Sequence, residues 1–244
     1  MRIPRIYTGN PLQPGSITEL ESQAALHVTR VLRLKPGAEV IAFNGEGGEY
    51  SARLHQVEKS RAWIDILEFR NRDVESPLNI CLIQGISRGE RMDYTIQKAV
   101  ELGVQKIVPV STERSVVQLN PERREKRHRH WQGVIISACE QCGRTKLPQL
   151  EYALDFRDFL GSYHGTALKL TLQPDAALGL SGVQWQQQGI DLLVGPEGGL
   201  SEQELALAAQ LGFCGIRLGP RILRTETAAV AVLGAIQMLW GDFA

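Results

Sequence analysis

Two glycine-rich junctions and one cationic helix hold the side chains of this sequence best suited to chemistry. The first junction is VGPEGGLSEQE at 194–204. Here an apolar run ends in Val194, Gly195, Pro196, Glu197, Gly198 and Gly199, and Ser201 stands three residues before Glu204, the spacing of a helix capping box. Glycines let backbone approach a ligand closely. A loop that follows a buried strand of an α/β sheet opens into the crevice where ligands bind. A tight strand-to-helix turn has the same composition, and the run matches neither the GxGxxG fingerprint nor the phosphate loop that closes on Gly-Lys and a hydroxyl residue.

The second junction is LGPRILRTETA at 218–228, which carries Leu218, Gly219, Arg221, Ile222, Leu223, Arg224, Thr225, Glu226 and Thr227. A carboxylate beside guanidinium groups can move a proton or stabilise an anion. Thr and Glu also serve helix N-termini as caps and dipole partners, so composition alone leaves both readings open. The cationic helix is ERREKRHRHW at 122–131, followed by EQCGR at 140–144. Five basic residues against two acids suit phosphate contact, and equally an ordinary solvated face. Arg144 follows Gly143 at the expected helix end, where a cation gains about 0.3–1 kcal/mol from the helix dipole with no catalytic role.

The elements that must position these residues change character along the chain. Residues 38–69 read as short strands joined by turns: EVIAF, the glycine-rich Gly45–Gly48 hairpin turn, YSARLHQV and RAWIDILEF. That pattern predicts a small barrel or sandwich. One helix precedes it, with Ser22 as N-cap and Ala25, Val28, Val31 and Leu32 at helical spacing, stopped by Pro36 and Gly37. The charged, aperiodic segment at 70–77 marks a domain boundary. Beyond it strands and helices alternate: LNICLIQGI, a helix with Met92, Ile96, Ala99 and Val100 on one face, KIVPVST, a long helix over 122–143, and strands near 149–152, 166–172 and 190–195. Helices over 201–211 and 226–240 complete the pattern. Continuous apolar strands separated by helices predict a buried parallel sheet covered on both faces.

Composition narrows the class. A chain of 244 residues with 43% hydrophobic and 22% charged residues is a globular protein of one or two domains. Lys plus Arg and Asp plus Glu balance at 27 each, but the balance is uneven: eight basic and four acidic residues over 112–149 against two and eight over 150–215. No apolar run reaches the roughly 18–20 residues needed to cross a bilayer, and the start lacks a signal-peptide core, so the expected location is cytoplasmic, without a membrane partner. Cys139 and Cys142 form the only close cysteine pair, while Cys81 and Cys214 stand alone. No zinc site results, and the thiols read as buried or incidental, so no metal is expected.

The strand-rich amino-terminal part, EQCGR, VGPEGGLSEQE and LGPRILRTETA, in this order, resemble the RsmE family of 16S ribosomal RNA uridine-N3 methyltransferases of the SPOUT superfamily, over essentially the whole chain. The resemblance implies an α/β fold in two domains. Residues 1–73 would form a PUA-like β-barrel that binds RNA, and residues 74–244 a SPOUT domain with a parallel sheet and a trefoil knot. It implies S-adenosyl-L-methionine as cofactor, a homodimer, and 16S rRNA or the small ribosomal subunit as partner. Thr171 and Leu172, Val194 to Gly199, and Leu218, Gly219, Ile222, Leu223 and Thr225 would surround the cofactor.

Uracil gives up its N3 proton reluctantly at neutral pH. The expected help is a carboxylate base, with Glu226 first and Glu197 second, or arginines that stabilise the uracilate, Arg144 and Arg224, with Arg144 acting from the other subunit. Arg2, Arg5, Arg30, Arg33, Arg123, Arg124 and Arg127 are the expected RNA contacts. A methyltransferase of the same superfamily acting on another RNA site, or a non-catalytic RNA-binding assembly factor, would carry the same motifs.

Overall fold

The structure is a computed structural model that describes residues 3–115, 120–186 and 189–243. It divides into two compact units, Met1–Glu75 with Ile136–Leu147 and Ser76–Ile135 with Pro148–Ala244.

The first unit is built on a five-stranded sheet of β1 (Arg5–Tyr7), β2 (Ile17–Glu19), β3 (Glu39–Phe43), β4 (Glu49–Val57) and β5 (Ala62–Arg70), in the order β1-β3-β4-β5-β2. The β1–β3 pair is parallel and the other pairs are antiparallel. Alternation decides which face is buried: Val40 and Ala42, Ala52 and Leu54, and Ala62, Ile64 and Ile66 all point into the core. The strands β1 and β2 were not expected, because three residues are too few for alternation to show. The expected helix is present as α1 (Ser22–Leu26), continued by a π-helical turn at His27–Val31, with Ala25 and Val28 buried. Its N-cap is Glu21 rather than Ser22, and Glu21 makes no side-chain cap bond.

The second unit holds a seven-stranded sheet in which every pair is parallel. Its strands are β6 (Ile80–Gly85), β7 (Lys106–Ser111), β8 (Gln149–Leu150), β9 (Leu154–Asp155), β10 (Leu168–Leu172), β11 (Ile190–Val194) and β12 (Cys214–Ile216). The order is β12-β10-β11-β6-β7-β8, with β9 also paired to β7. The helices are α2 (Glu90–Glu101), α3 (Pro121–Cys142), α4 (Phe156–Gly161), α5 (Glu202–Gln210) and α6 (Thr225–Trp240). Met92, Ile96, Ala99 and Val100 of α2 are buried as their spacing requires, together with Thr95. The strand expected near 149–152 is split into β8 and β9, and the short α4 was not foreseen. Among the described residues no helix is long and apolar enough to cross a membrane.

The long helix α3 contributes to both units, since residues from Ile136 onward group with the first. The EQCGR motif therefore lies in the first unit. Glu140 Oε1 accepts the Tyr7 N–H at 3.0 Å, and Arg144 places Nε and Nη2 on Glu75 Oε2 at 2.8 and 2.6 Å. The Cys139 thiol faces the Lys146 carbonyl, and burial pushes its pKa up to about 12, so it stays protonated and unreactive. Among the described residues no group of three or more His, Cys, Asp or Glu is arranged to hold a metal ion.

The Arg144 and Glu75 side chains are only 5% and 9% exposed. Removing one partner of such a pair leaves a buried charge uncompensated. Glu75→Leu should therefore cost about 3–5 kcal/mol of unfolding free energy in a denaturant titration, and Glu75→Leu with Arg144→Met should recover most of it. A single variant as stable as the unmodified protein would show that water already solvates the guanidinium.

Candidate active site

The carboxyl ends of β10, β11 and β12 are neighbours in the sheet, so the loops that leave them emerge side by side. They enclose a cavity of about 420 Å³, within the ~300–1,000 Å³ of pockets that take small molecules. Leu172 comes from the end of β10, Val194 to Gly199 from the loop after β11, and Leu218, Gly219, Ile222, Leu223 and Thr225 from the segment after β12. Thr171 is different: it is buried inside β10 and is not part of the wall, although sequence placed it there. The Gln173 N–H donates to the Ile216 carbonyl at 2.9 Å, which ties the β10 loop to the end of β12. Ser201 and Glu204 form the expected capping box of α5, and Glu204 Oε1 also accepts the Glu113 N–H at 2.8 Å.

The glycines of the loop do two different jobs. At Gly198 a Cβ would lie 2.9 Å from the Cβ of Arg114, whose Nη1 donates to the Gly198 carbonyl at 3.0 Å. At that glycine the missing side chain makes room for an arginine that also lines the cavity. Gly199 and Gly219 have φ of +68° and +69°, and a Cβ at either would meet no protein atom within 4 Å. At these two wall positions bare backbone faces open space.

Thr225 joins the two junctions. Its hydroxyl donates to the Gly195 carbonyl at 2.6 Å and accepts from Gln84 Nε2 at 3.1 Å. The capping role that composition allowed is not the one it has, because Arg224 occupies the N-cap position. Gln84 is fully buried at the end of β6.

Beside this strut lies a charged cluster. Arg91, in the first turn of α2, places Nη1 2.9 Å from Glu197 Oε1 and Nε 4.0 Å from Glu226 Oε1. The Arg88 N–H donates to Glu197 Oε1 at 3.0 Å. Burial pushes the Glu197 carboxyl up, but the Arg88 N–H, its own N–H and the Arg91 guanidinium outweigh that and hold it below its ordinary value. Glu197 is thus a settled anion and a poor proton acceptor near neutrality. Glu226 differs: its side chain is 15% exposed, and Oε2 is buried with no hydrogen-bond partner among the described residues. Arg224 is exposed. Arg144 is buried with Glu75 in the first unit, where its guanidinium already has a partner of full charge.

Residues 74–237 match the RNA methyltransferase domain family, and residues 20–67 match the RNA methyltransferase PUA domain family. Ribosomal RNA small subunit methyltransferase E of Buchnera aphidicola (subsp. Schizaphis graminum) is 34% identical over 241 residues, covering 99% of this chain and 98% of its own length. This chain belongs to the ribosomal RNA small subunit methyltransferase E family. The Bacillus subtilis member is 32% identical, with 96% of each chain covered. Among solved structures, the methyltransferase E of Neisseria gonorrhoeae bound to S-adenosyl methionine is 43% identical with a TM-score of 0.92. A Legionella pneumophila methyltransferase in complex with the same cofactor is 39% identical with a TM-score of 0.96. Both cover the whole of both chains.

The arginines expected from sequence to contact RNA fall into three groups. Arg30, Arg33 and Arg123 are exposed, and Arg124 and Arg127 are half-buried on α3. Arg5 is only 6% exposed, with Nη1 2.5 Å from Glu49 Oε2 and its guanidinium over the Phe43 ring. It is a core ion pair rather than a surface cation, a correction to its reading as a phosphate contact. Arg2 lies outside the described residues. Sequence reasoning missed Arg91 and Arg114. The run Ser87-Arg88-Gly89-Glu90-Arg91 after a strand was the available signal for Arg91, being a third strand-to-helix junction with a glycine.

The buried strut makes a direct prediction. Thr225→Val keeps shape but leaves the Gln84 amide and the Gly195 carbonyl short of a partner, and should cost about 1–3 kcal/mol of unfolding free energy. A double-mutant cycle with Gln84→Leu should show coupling of about 0.5 kcal/mol or more by denaturant titration. Additive losses would mean that the two groups do not interact.

Proposed function

We propose that this chain is an S-adenosyl-L-methionine-dependent methyltransferase that acts on 16S ribosomal RNA of the small subunit, at N3 of a uridine. The observation that carries the reading is the bare-backbone cavity at the carboxyl edge of the sheet, walled in part by Thr225, the residue before the buried carboxylate Glu226. The open space at Gly199 and Gly219, the apolar walls from Leu172, Val194, Ile216 and Leu218, and abundant main-chain groups fit a nucleoside-bearing cofactor held by shape and backbone hydrogen bonds. The SAM-bound Neisseria and Legionella structures support the same cofactor.

When bound, S-adenosylmethionine supplies an electrophilic methyl group on a sulfonium sulfur. The chain's own residues must supply orientation and proton management. Backbone groups of the loops after β10, β11 and β12 would hold the adenine edge. Glu226 Oε2 is the acceptor suited to the N3 proton, because among the described residues no donor occupies it. Glu197 is less suited, since its charge is already satisfied. Arg224, exposed at the N-cap of α6, would face the negative charge that spreads onto the uracil oxygens. Arg144 would have to leave Glu75 to do so, even if offered from a partner subunit.

Residues 1–73 would serve as the PUA-like RNA-binding domain and 74–244 as the SPOUT domain. Exposed Arg30, Arg33 and Arg123, with Arg124 and Arg127, would meet phosphates. A trefoil knot is the topology that the family resemblance implies for this unit, in which β12 stands at the sheet edge and α6 packs on α2 and β11. A homodimer is supported by Met238, Leu239 and Phe243, apolar side chains about half exposed at the end of the molecule's most apolar helix. The cytoplasm, where ribosomal RNA is modified, is the location consistent with this substrate.

Glu226→Gln keeps the shape and removes the proton acceptor. Its single-turnover methylation rate should fall by roughly 100- to 10,000-fold, while calorimetry with S-adenosylmethionine should give unchanged affinity. Nucleoside mass spectrometry of the treated 16S RNA should find the methyl on uridine N3 with the unmodified enzyme. A methyl on another atom would overturn the position, and a full rate in Glu226→Gln would remove Glu226 as base. Sedimentation equilibrium should return twice the mass of one chain; an active monomer would overturn the dimer.

A further inference from the structure

The loop after β7 separates two cavities at the carboxyl end of the sheet. Arg114 lines the cavity already described, whereas its neighbours Glu113 and Ser115 line a second one of about 410 Å³. Ser111 at the end of β7, Ala153 just before β9 and Arg124 of α3 also line it. The carboxylates in its wall already have partners within the chain. Glu113 Oε1 stands 2.9 Å from Arg157 Nη2, Glu204 accepts the Ser201 and Glu113 N–H groups, and Asp155 accepts the Arg157 N–H.

Beside this second cavity stands an aromatic pair that the reaction does not use. Tyr152 directly precedes the wall residue Ala153, and His128 lies one turn of α3 beyond Arg124. The two rings stack with centroids 4.0 Å apart and planes 12° from parallel. His128 Nε2 lies 3.2 Å from the Leu150 carbonyl, which fixes the imidazole against the segment that carries Tyr152. Tyr152 is nevertheless 51% exposed, so with His128 on one face the ring offers its other face to solvent. A ring built only for packing would be covered on both sides. Arg123, Lys126 and Arg129 are exposed on the same helix. The acid beside the Tyr152 hydroxyl, Glu125, is offset by Arg129, whose Nε is 3.5 Å from it.

We infer that Tyr152, backed by His128, is a stacking platform for an unpaired RNA base that flanks the target uridine. This rests on the 16S RNA reading above and deepens it, by naming a residue that holds a base rather than a phosphate. A strand whose target uridine sits at the first cavity can cross the β7 loop, pass the second cavity and bring a base onto Tyr152. Every base has a π-face, so such a contact needs no particular sequence, and the cations of α3 attract the phosphates that accompany it. The imidazole behind the phenol ring keeps it in place, so little side-chain freedom is lost when a third ring is added to the stack.

The test is a titration of 16S RNA with the full-length protein, with S-adenosylhomocysteine present so that no methyl transfer occurs. Tyr152→Leu keeps an apolar side chain but has no ring, and should weaken RNA binding by roughly 5- to 100-fold. The log-log salt slope should not change, because stacking releases no counterions. Tyr152→Phe keeps the ring and should bind as the unmodified protein does. A second probe, a short oligouridylate with one central 2-aminopurine, reads stacking directly. Its fluorescence should be quenched by the unmodified protein and by Tyr152→Phe, and far less by Tyr152→Leu. Circular dichroism checks that each variant is folded.

Affinity and quenching that are unchanged in folded Tyr152→Leu overturn the inference. So does a loss in Tyr152→Phe as large as in Tyr152→Leu, which would assign the effect to the hydroxyl, or a smaller salt slope in Tyr152→Leu, which would assign it to displaced phosphate contacts. Failure of the methyltransferase reading is separate: it would appear as no methyl on uridine N3 of 16S RNA treated with the unmodified enzyme, where Tyr152 is intact.

Discussion

The hydroxyl of Thr225 is the point on which the second unit's functional region depends. A single oxygen donates to the Gly195 carbonyl and accepts from the Gln84 amide. It thereby ties the first turn of α6 to the loop after β11 and to the end of β6. Both partners are far from Thr225 and from each other in sequence, and the contact lies among buried groups where an unmade hydrogen bond is costly. Because Thr225 holds the start of α6, it also fixes where Glu226 stands, and because it holds Gly195 it fixes the rim of the cavity. The capping box of α5 and the Glu204 contact to the Glu113 N–H brace the other side of the same loop.

Around that strut the glycine loop is shaped as much by protein as by any ligand. Gly198 yields its side-chain space to Arg114, whereas Gly199 and Gly219 leave space that no protein atom fills. A loop of this composition therefore cannot be read residue by residue as ligand contact. Only the position of each Cβ vector tells which glycine serves packing and which leaves a bare wall.

The EQCGR segment illustrates a different division. In the first unit Glu140 receives the Tyr7 N–H, Arg144 is committed to Glu75, and Cys139 is a protonated buried thiol. A motif of charged and sulfur-bearing residues looks like chemistry in sequence. Here each of those groups is satisfied locally, and burial rather than reactivity explains its composition. Arg5, paired with Glu49, follows the same rule: a cation near a chain start reads as a surface charge until the sheet closes over it.

Much of the fold was legible from periodicity. The antiparallel strands β3, β4 and β5, the amphipathic α2, and the apolar β6, β10 and β11 each carry a signal several residues long, so local pattern and final burial agree. Strands of two or three residues and the six-residue α4 do not, because pairing partners rather than their own sequence stabilise them. Two of the cavity's three loops are glycine-bearing strand ends visible in the sequence, whereas the contribution of Leu172 was implied by the family resemblance alone. The sequence by itself determined which segments are strands, which loops are glycine-rich, and where a carboxylate and arginines cluster, since these are properties of neighbours along the chain. Only the tertiary structure decided that Arg91 stands between Glu197 and Glu226, that Thr225 is a strut, and that Arg144 and Arg5 are buried pairs. Those facts depend on which strand ends the sheet order makes adjacent and on which charges folding takes out of water, and neither is encoded in the spacing of residues along one segment.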